Sequence, residues 1–549
     1  KSYKAIFQED ASKEFLERND LKETLILKEN DYNHFNLTNK QGVSPDFFSL
    51  VVNNGSFLKN KKSLEIASDA ISMFINNTED KILKKNSFFK IINNKYAWHG
   101  MLSHNRKFIY FPLENSFEEI YYDGSVNYKA FRNDNCEVIK DDKFKIFESD
   151  YLRLSNKKLS KIEQCIYSEK IRIHNFYNKN NSLPYKDKFS FVSNFESNKK
   201  NMQSFRKNII DNFLVDNLIS KNNKKVITFS FYHKDEYYLV EYDIIEKKTG
   251  NYRRISYEDY KDSLRGRLSF DYLNEKIPVF NLGNILPKKK IKILDEHKFK
   301  TKDIVITKPG TYKINLIENI KYNNIIYFDS SATKIILNGI LDYQDSLSFI
   351  DINTNKNLNN NLYRYDENLL NGCVNFIKVN FKGGSIHSEG MKCEDSINIV
   401  NSTGTINTVT IDKSSFDGLD IDISDLTIND LKISNSKNDC LDLSYGNYKI
   451  LDSALENCDD KAISVGEKST LKSDNIIVIK SNYALVSKDS SNVFVNNLIS
   501  QNNQYCVAAY KKKQEFDGGF IEINSLKCKD YINEINSDRV SKIIINNRN

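Results

Sequence analysis

Four aspartates in the second half of the chain recur at a nearly constant step: Asp395, Asp417, Asp439 and Asp460 are separated by 22, 22 and 21 residues. Each belongs to a phrase of the same kind, running Glu394 to Ile399, Phe416 to Ile421, Asn438 to Leu443 and Asp459 to Ser464. Two later phrases, Asn482 to Lys488 and Tyr505 to Tyr510, continue the series. With one step per turn of a strand stack, equivalent residues lie about 4.8 Å apart. The four aspartates then form an acidic column, Asn398, Asp420 and Asp442 a second, and Asp422, Ser444, Ser464 and Ser487 a third. Carboxylates so close cannot all stay ionised and unpaired without cost. Three chemistries fit: turn-capping ladders that share protons or waters, calcium held between coils by oxygen ligands, or paired carboxylates serving as acid and base on a glycosidic bond or in an epimerisation.

The next coils change character. Asp459-Asp460-Lys461, Glu467-Lys468 and Ser487-Lys488-Asp489 put lysines beside carboxylates, with Tyr510 and Lys511 following. Lys461, Lys488 and Lys511 recur at steps of 27 and 23 and are read as one edge able to meet an acidic sugar. Ordinary charge balancing of a stacked column would produce the same pairs. The candidate cleft is Asp417, Asp420, Asp439, Asp442, Asp460, Lys461, Glu467 and Lys488.

The elements that must carry these columns are short β-branched runs. Between the aspartates lie Leu426-Thr427-Ile428, Tyr448-Lys449-Ile450, Ile476 to Ile479 and Val493-Phe494-Val495, each followed by another apolar pair. Three short strands per turn of about 22 residues predict a right-handed parallel β-helix from 302 to 549, in which each coil buries apolar residues against its neighbours and none is stable alone. A leucine-rich repeat would need a regular Leu framework and a helical segment, and neither is present. Asp303 to Ile314 is read as the first coil. Solenoid corners require positive φ, yet the chain has only 19 Gly and 6 Pro in 549 residues. Asn tolerates that region better than other side chains, which assigns corners to Asn401, Asn435, Asn457, Asn482 and Asn502.

Upstream, residues 1–180 read as an α+β segment. Ala11 to Arg18 and Ser63 to Ile75 carry apolar residues at helical spacing, and Phe108 to Pro112 reads as a strand. Residues 181–301 form a β-rich intermediate region with strand-like runs Val226 to Tyr232 and Tyr237 to Tyr242. The lysines of Pro287 to Lys290 mark a solvated boundary. A net charge of +7 from 80 basic and 73 acidic residues is too thinly spread for nucleic-acid binding. No apolar run is long enough to span a bilayer. None of the eight cysteines forms a CxxC pair; they read as small buried hydrophobes, which leaves the compartment open. The chain begins at Lys1 with no Met and no signal-type apolar stretch, which reads as a processed or cut start, with any export signal lying upstream.

Two resemblances add to this reading. Lys4 to Asp10 with Phe15-Leu16-Glu17-Arg18-Asn19, and Trp98 to Tyr110 followed by Glu119 to Gly124, resemble the spore-coat CotH-type proteins, an atypical kinase family. The likeness covers the hinge and C-terminal lobe of that fold. It implies magnesium ligands at Asn105 and Asp123 holding the phosphates of ATP. The lysine-bearing N-terminal lobe is missing from this chain, and no carboxylate stands near His99 and Gly100, where the family's catalytic Asp is expected. The resemblance therefore implies an inactive or truncated kinase-like module. The second half resembles the right-handed β-helices of polysaccharide lyases and C5-epimerases, carried by Asp460 to Glu467 and Ser487 to Ser490. Together these imply an extracytoplasmic protein, secreted or of the cell envelope, that binds or modifies a polysaccharide or glycoconjugate. The alternatives are a surface structural or adhesion protein with a solenoid spacer, and a phosphotransferase using ATP and magnesium.

Overall fold

The computed structural model describes residues 11–29, 50–77, 82–84, 106–120, 220–221, 224–243, 248–272, 275–284, 290–294, 299, 302–318, 320–353 and 364–548. The chain divides into two compact units, Lys1–Lys288 and Lys289–Asn549. Asn105 and Asp123 lie outside the described residues.

In the first unit, helices Lys13–Arg18 and Lys61–Asn76 fall on the two segments with helical apolar spacing. The second starts at a capping box in which Asn60 accepts from the Ser63 N–H at 2.9 Å. An antiparallel sheet runs in the order Leu50–Val52, Ile26–Glu29, Lys107–Phe111, Ser116–Ile120. A second, mixed sheet orders Lys248–Arg254, Glu236–Asp243, Lys224–His233, Glu275–Asn284 and Ser269–Tyr272. Buried polar contacts hold helix Lys61–Asn76 to the second sheet and its helix Tyr257–Leu264: the Tyr260 hydroxyl meets Ser68 Oγ at 2.7 Å, and Asn284 of strand Glu275–Asn284 donates to Asp69 at 2.7 Å.

The second unit is a β-solenoid of about ten turns over residues 292–548. Every strand pairing among its described residues is parallel. Inward positions align in apolar ladders such as Ile397, Leu419, Leu441, Ile463, Leu485 and Val507, all fully buried. The residue before each of these is small: Ser396, Gly418, Cys440, Ala462, Ala484 and Cys506. That column lets the chain enter the core strand closely after the outward-facing residue that precedes it.

Four of the five Asn residues assigned to corners take them. Asn401, Asn435, Asn457 and Asn502 have φ of 51, 60, 55 and 57°. Asn482 does not; Lys480, at φ 59°, takes that turn. Asn401 shares its corner with Ile423, Tyr445 and Glu467, which on successive coils hold φ of 51, 50 and 49°, a costly conformation for such side chains. Glycine is indispensable at Gly404, where φ is +110° and a Cβ would stand 2.0 Å from the Phe381 carbonyl oxygen. Gly404→Ala is expected to destabilise the solenoid by more than about 2 kcal/mol. Unchanged denaturant midpoints for this variant would refute the coil geometry at that position.

The cysteines correct the sequence reading. Six of them are not isolated hydrophobes but form three disulfides, Cys373–Cys393, Cys440–Cys458 and Cys506–Cys528. Their separations of 20, 18 and 22 residues are close to one coil, so the chain returns each cysteine to its partner. Cys136 and Cys165 lie outside the described residues. Disulfides of this number mark an oxidising, extracytoplasmic environment. Among the described residues no helix is long and apolar enough to cross a membrane.

Candidate functional site

One outer face of the solenoid collects the acidic residues and several of the lysines. Its first column is Asp395, Asp417, Asp439, Lys461, Tyr483 and Tyr505. Strand pairing links Asp395 to Asp417, Lys461 to Tyr483 and Tyr483 to Tyr505, and the backbone N–H groups of Asp439 and Lys461 reach the carboxylate one coil back. The true step is therefore 22 throughout, and Lys461, not Asp460, continues the column. Asp460 lies beside it and pairs with the Lys461 ammonium. The second column is Asn398, Asp420, Asp442, Ser464, Val486 and Ala508. The third is Asp422, Ser444, Gly466, Lys488 and Tyr510. Ser464 thus sits on Asp442, and Ser487 pairs with Val465 in the interior instead of joining the third column. Lys461 and Lys488 occupy different columns, and Lys511 stands beyond Tyr510 in an exposed loop.

The carboxylates are held in different ways. Asp417 Oδ1 accepts from Asn438 Nδ2 at 2.7 Å and from the Asp439 N–H at 2.8 Å. Burial, followed by the charges of Asp395, Asp439 and Asp442, pushes the Asp417 carboxyl up to about 8. Asp439 is 4% exposed and lies 3.2 Å from the Lys461 ammonium. Burial and then Asp442 raise its carboxyl to about 6, with Lys461 and Lys488 pulling the other way. Both carboxyls are displaced upward, Asp417 further than Asp439, which has the Lys461 and Lys488 charges beside it. Asp442 faces Lys488 at 3.5 Å and keeps 25% of its side chain exposed. Asn398 donates to Asp420 at 3.0 Å and to Asp422 at 3.2 Å. At this acidic end Arg364 pairs with Glu394 at 3.4 Å; burial lowers its pKa, and Glu394, Asp395, Asp420 and Asp422 together outweigh that and raise it.

At the opposite end the rings of Tyr483 and Tyr505 stack 4.6 Å apart and nearly coplanar, 9° between planes. A loop after Tyr510 walls this end. The buried Asp489 carboxylate fixes it by accepting from the N–H groups of Lys512 and Lys513 at 2.7 and 2.8 Å. Lys513 reaches Glu467 at 2.8 Å, and Ser444 donates to the same carboxylate. Burial would raise the Glu467 carboxyl, yet Lys513 and then Lys488 outweigh it and hold the group below its ordinary value.

All eight cleft residues expected from the sequence lie on or beside this face. The sequence reading did not assign Arg364, Tyr483, Tyr505, Lys513 or Gly466 to the site. Counting on by 22 from Asp439 would have found both tyrosines. Arg364 and Lys513 come from loops that interrupt the repeat and carry no periodic signal. Among the described residues no group of three or more His, Cys, Asp or Glu side chains is gathered to hold a metal ion; Asp439 and Asp442 face lysines. No family model, no curated protein and no solved structure matches this chain.

Proposed function

We propose that this face binds an extended glycan and hydrolyses a glycosidic bond, in a protein that is secreted or held in the cell envelope. The reading rests chiefly on one arrangement: the anchored Asp417 carboxyl lies one coil from two carboxylates that are each held by a lysine. Asp417 is the proton donor. Its Oδ1 is occupied by two hydrogen bonds, leaving Oδ2 to carry the proton. That proton passes to the glycosidic oxygen as the bond from the anomeric carbon breaks. Asp442 is the better base because it is the more exposed of the two carboxylates on the next coil, whereas Asp439 is buried under Lys461. It takes a proton from the water that attacks the anomeric carbon.

Tyr483 and Tyr505 supply apolar surface for further sugar rings along the solenoid axis, since amphipathic rings offer contact area at low entropic cost. Hydrolysis is preferred to β-elimination. An elimination on a uronic acid needs cationic charge to neutralise the sugar carboxylate, and Lys461, Lys488, Lys513 and Arg364 each face a carboxylate of the protein itself. A spacer would have no use for a carboxyl with a raised pKa beside two lysine-held carboxylates.

The test is incubation of the full chain with a panel of neutral and uronic polysaccharides, following reducing ends and unsaturated-product absorbance. New reducing ends without unsaturated product are expected. Unsaturated product would replace hydrolysis by elimination, and silence on both readouts would remove the reading.

A further inference from the structure

The residue at 466 is glycine although its backbone does not demand one, for it is absent from the positive-φ glycines of the chain. What a side chain there would meet is Lys488: a Cβ on Gly466 would lie 2.6 Å from Lys488 Cε, 3.3 Å from Cγ and 3.5 Å from Cδ. The lysine stem therefore runs flat across this coil. It ends 3.5 Å from Asp442, two coils back from its own. The side chain is only 6% exposed.

We propose that Gly466 and Lys488 form one positioning device, in which the notch at 466 lets the Lys488 ammonium reach Asp442 and lie beside its neighbour Asp439, one coil from Asp417. It builds on the catalytic roles given above to Asp417 and Asp442. Lys488 is a positioning residue, since it acts through the carboxylates. The groups facing its ammonium are Asp442, Glu467, Asp439 and Tyr510; burial works to lower its pKa, and these four together outweigh burial and raise it. Asp439 in turn is faced by Asp417, Asp442, Asp460, Lys461 and Lys488. A lysine that merely balanced charge could come from any neighbouring position and would need no glycine beneath it.

The experiment is a carbon NMR titration of the aspartate carboxyls in the full chain, without substrate, for wild type, Lys488→Met, Gly466→Ala and the double variant. In Lys488→Met the Asp439 midpoint is expected to rise from about 6 by roughly one unit. Gly466→Ala is expected to move it the same way, because the added methyl displaces the stem, and the double variant to match Lys488→Met alone. An unmoved midpoint in Gly466→Ala, or a double-variant shift equal to the sum of the single ones, overturns the device. If Lys488→Met does not fold, Gly466→Ala alone decides. Midpoints that move as expected in a chain that cleaves no glycan leave the device standing and remove the hydrolase reading. Once a substrate is found, the acid limb of kcat should move up in both variants, with KM changing less than about twofold.

Discussion

Asp417→Asn is expected to abolish glycan cleavage and, in the same preparation, to raise the melting temperature at pH 8. The loss should be about 10²- to 10⁴-fold in kcat/KM, the range for removing a general acid. The gain in stability follows from the sign of the pKa displacement. The Asp417 carboxyl is raised to about 8 in the fold, against about 3.9 in an unfolded chain. A carboxyl displaced upward binds its proton more tightly when folded. Its contribution to stability is complete below the unfolded value and is lost as pH rises through the folded one. At pH 8 wild type has therefore lost most of that contribution and carries a buried charge against Asp395, Asp439 and Asp442. The asparagine carries none, and it can still accept from Asn438 and the Asp439 N–H. After allowance for solvent screening the difference is on the order of 1–3 kcal/mol, or about 2–8 °C for a unit of this size. Calorimetry at pH 5 and pH 8 checks it: the two proteins should diverge toward pH 8. Retained cleavage, or a variant less stable than wild type at pH 8, would contradict the assignment.

Reduction of the disulfides should have the other large effect. Each of Cys373–Cys393, Cys440–Cys458 and Cys506–Cys528 closes a loop of about one coil, worth about 3 kcal/mol in chain entropy. The three are spread along the stack, so their contributions should largely add. A reducing agent is expected to lower the melting temperature of the solenoid by more than about 10 °C, with thiol labelling showing release of the paired cysteines. The effect should extend to the site, because Cys440 directly follows Asp439 and Cys458 directly precedes Asp459 and Asp460. Unchanged melting after complete thiol labelling would show that the bonds do not support the coils.

The solenoid was legible because its physics is periodic. Apolar residues must return to the core once per coil, and Asn must return to the corner, so Ile397, Leu419 and Leu441 or Asn435 and Asn457 announce themselves by spacing alone. The acidic column was legible for the same reason up to Asp439. At the next coil charge type and count diverge: Lys461 holds the column and Asp460 stands beside it. A change of residue type within a column is invisible to a pattern built on sameness, and that change is what makes the site: acid, acid, lysine, tyrosine. The disulfides were missed on a related ground, since pairing at coil distance leaves no short motif. Arg364 and Lys513 were out of reach because interrupting loops obey no period, and Gly466 because its reason for being glycine lies in the path of Lys488.

On the proposed reading the Asp417 carboxyl keeps its proton to higher pH than the Asp439 carboxyl one coil on. A carbon NMR titration of the carboxyls in wild type measures it directly. The account predicts an Asp417 midpoint of about 8 and an Asp439 midpoint of about 6; both groups titrating near the ordinary value of about 4 would contradict it.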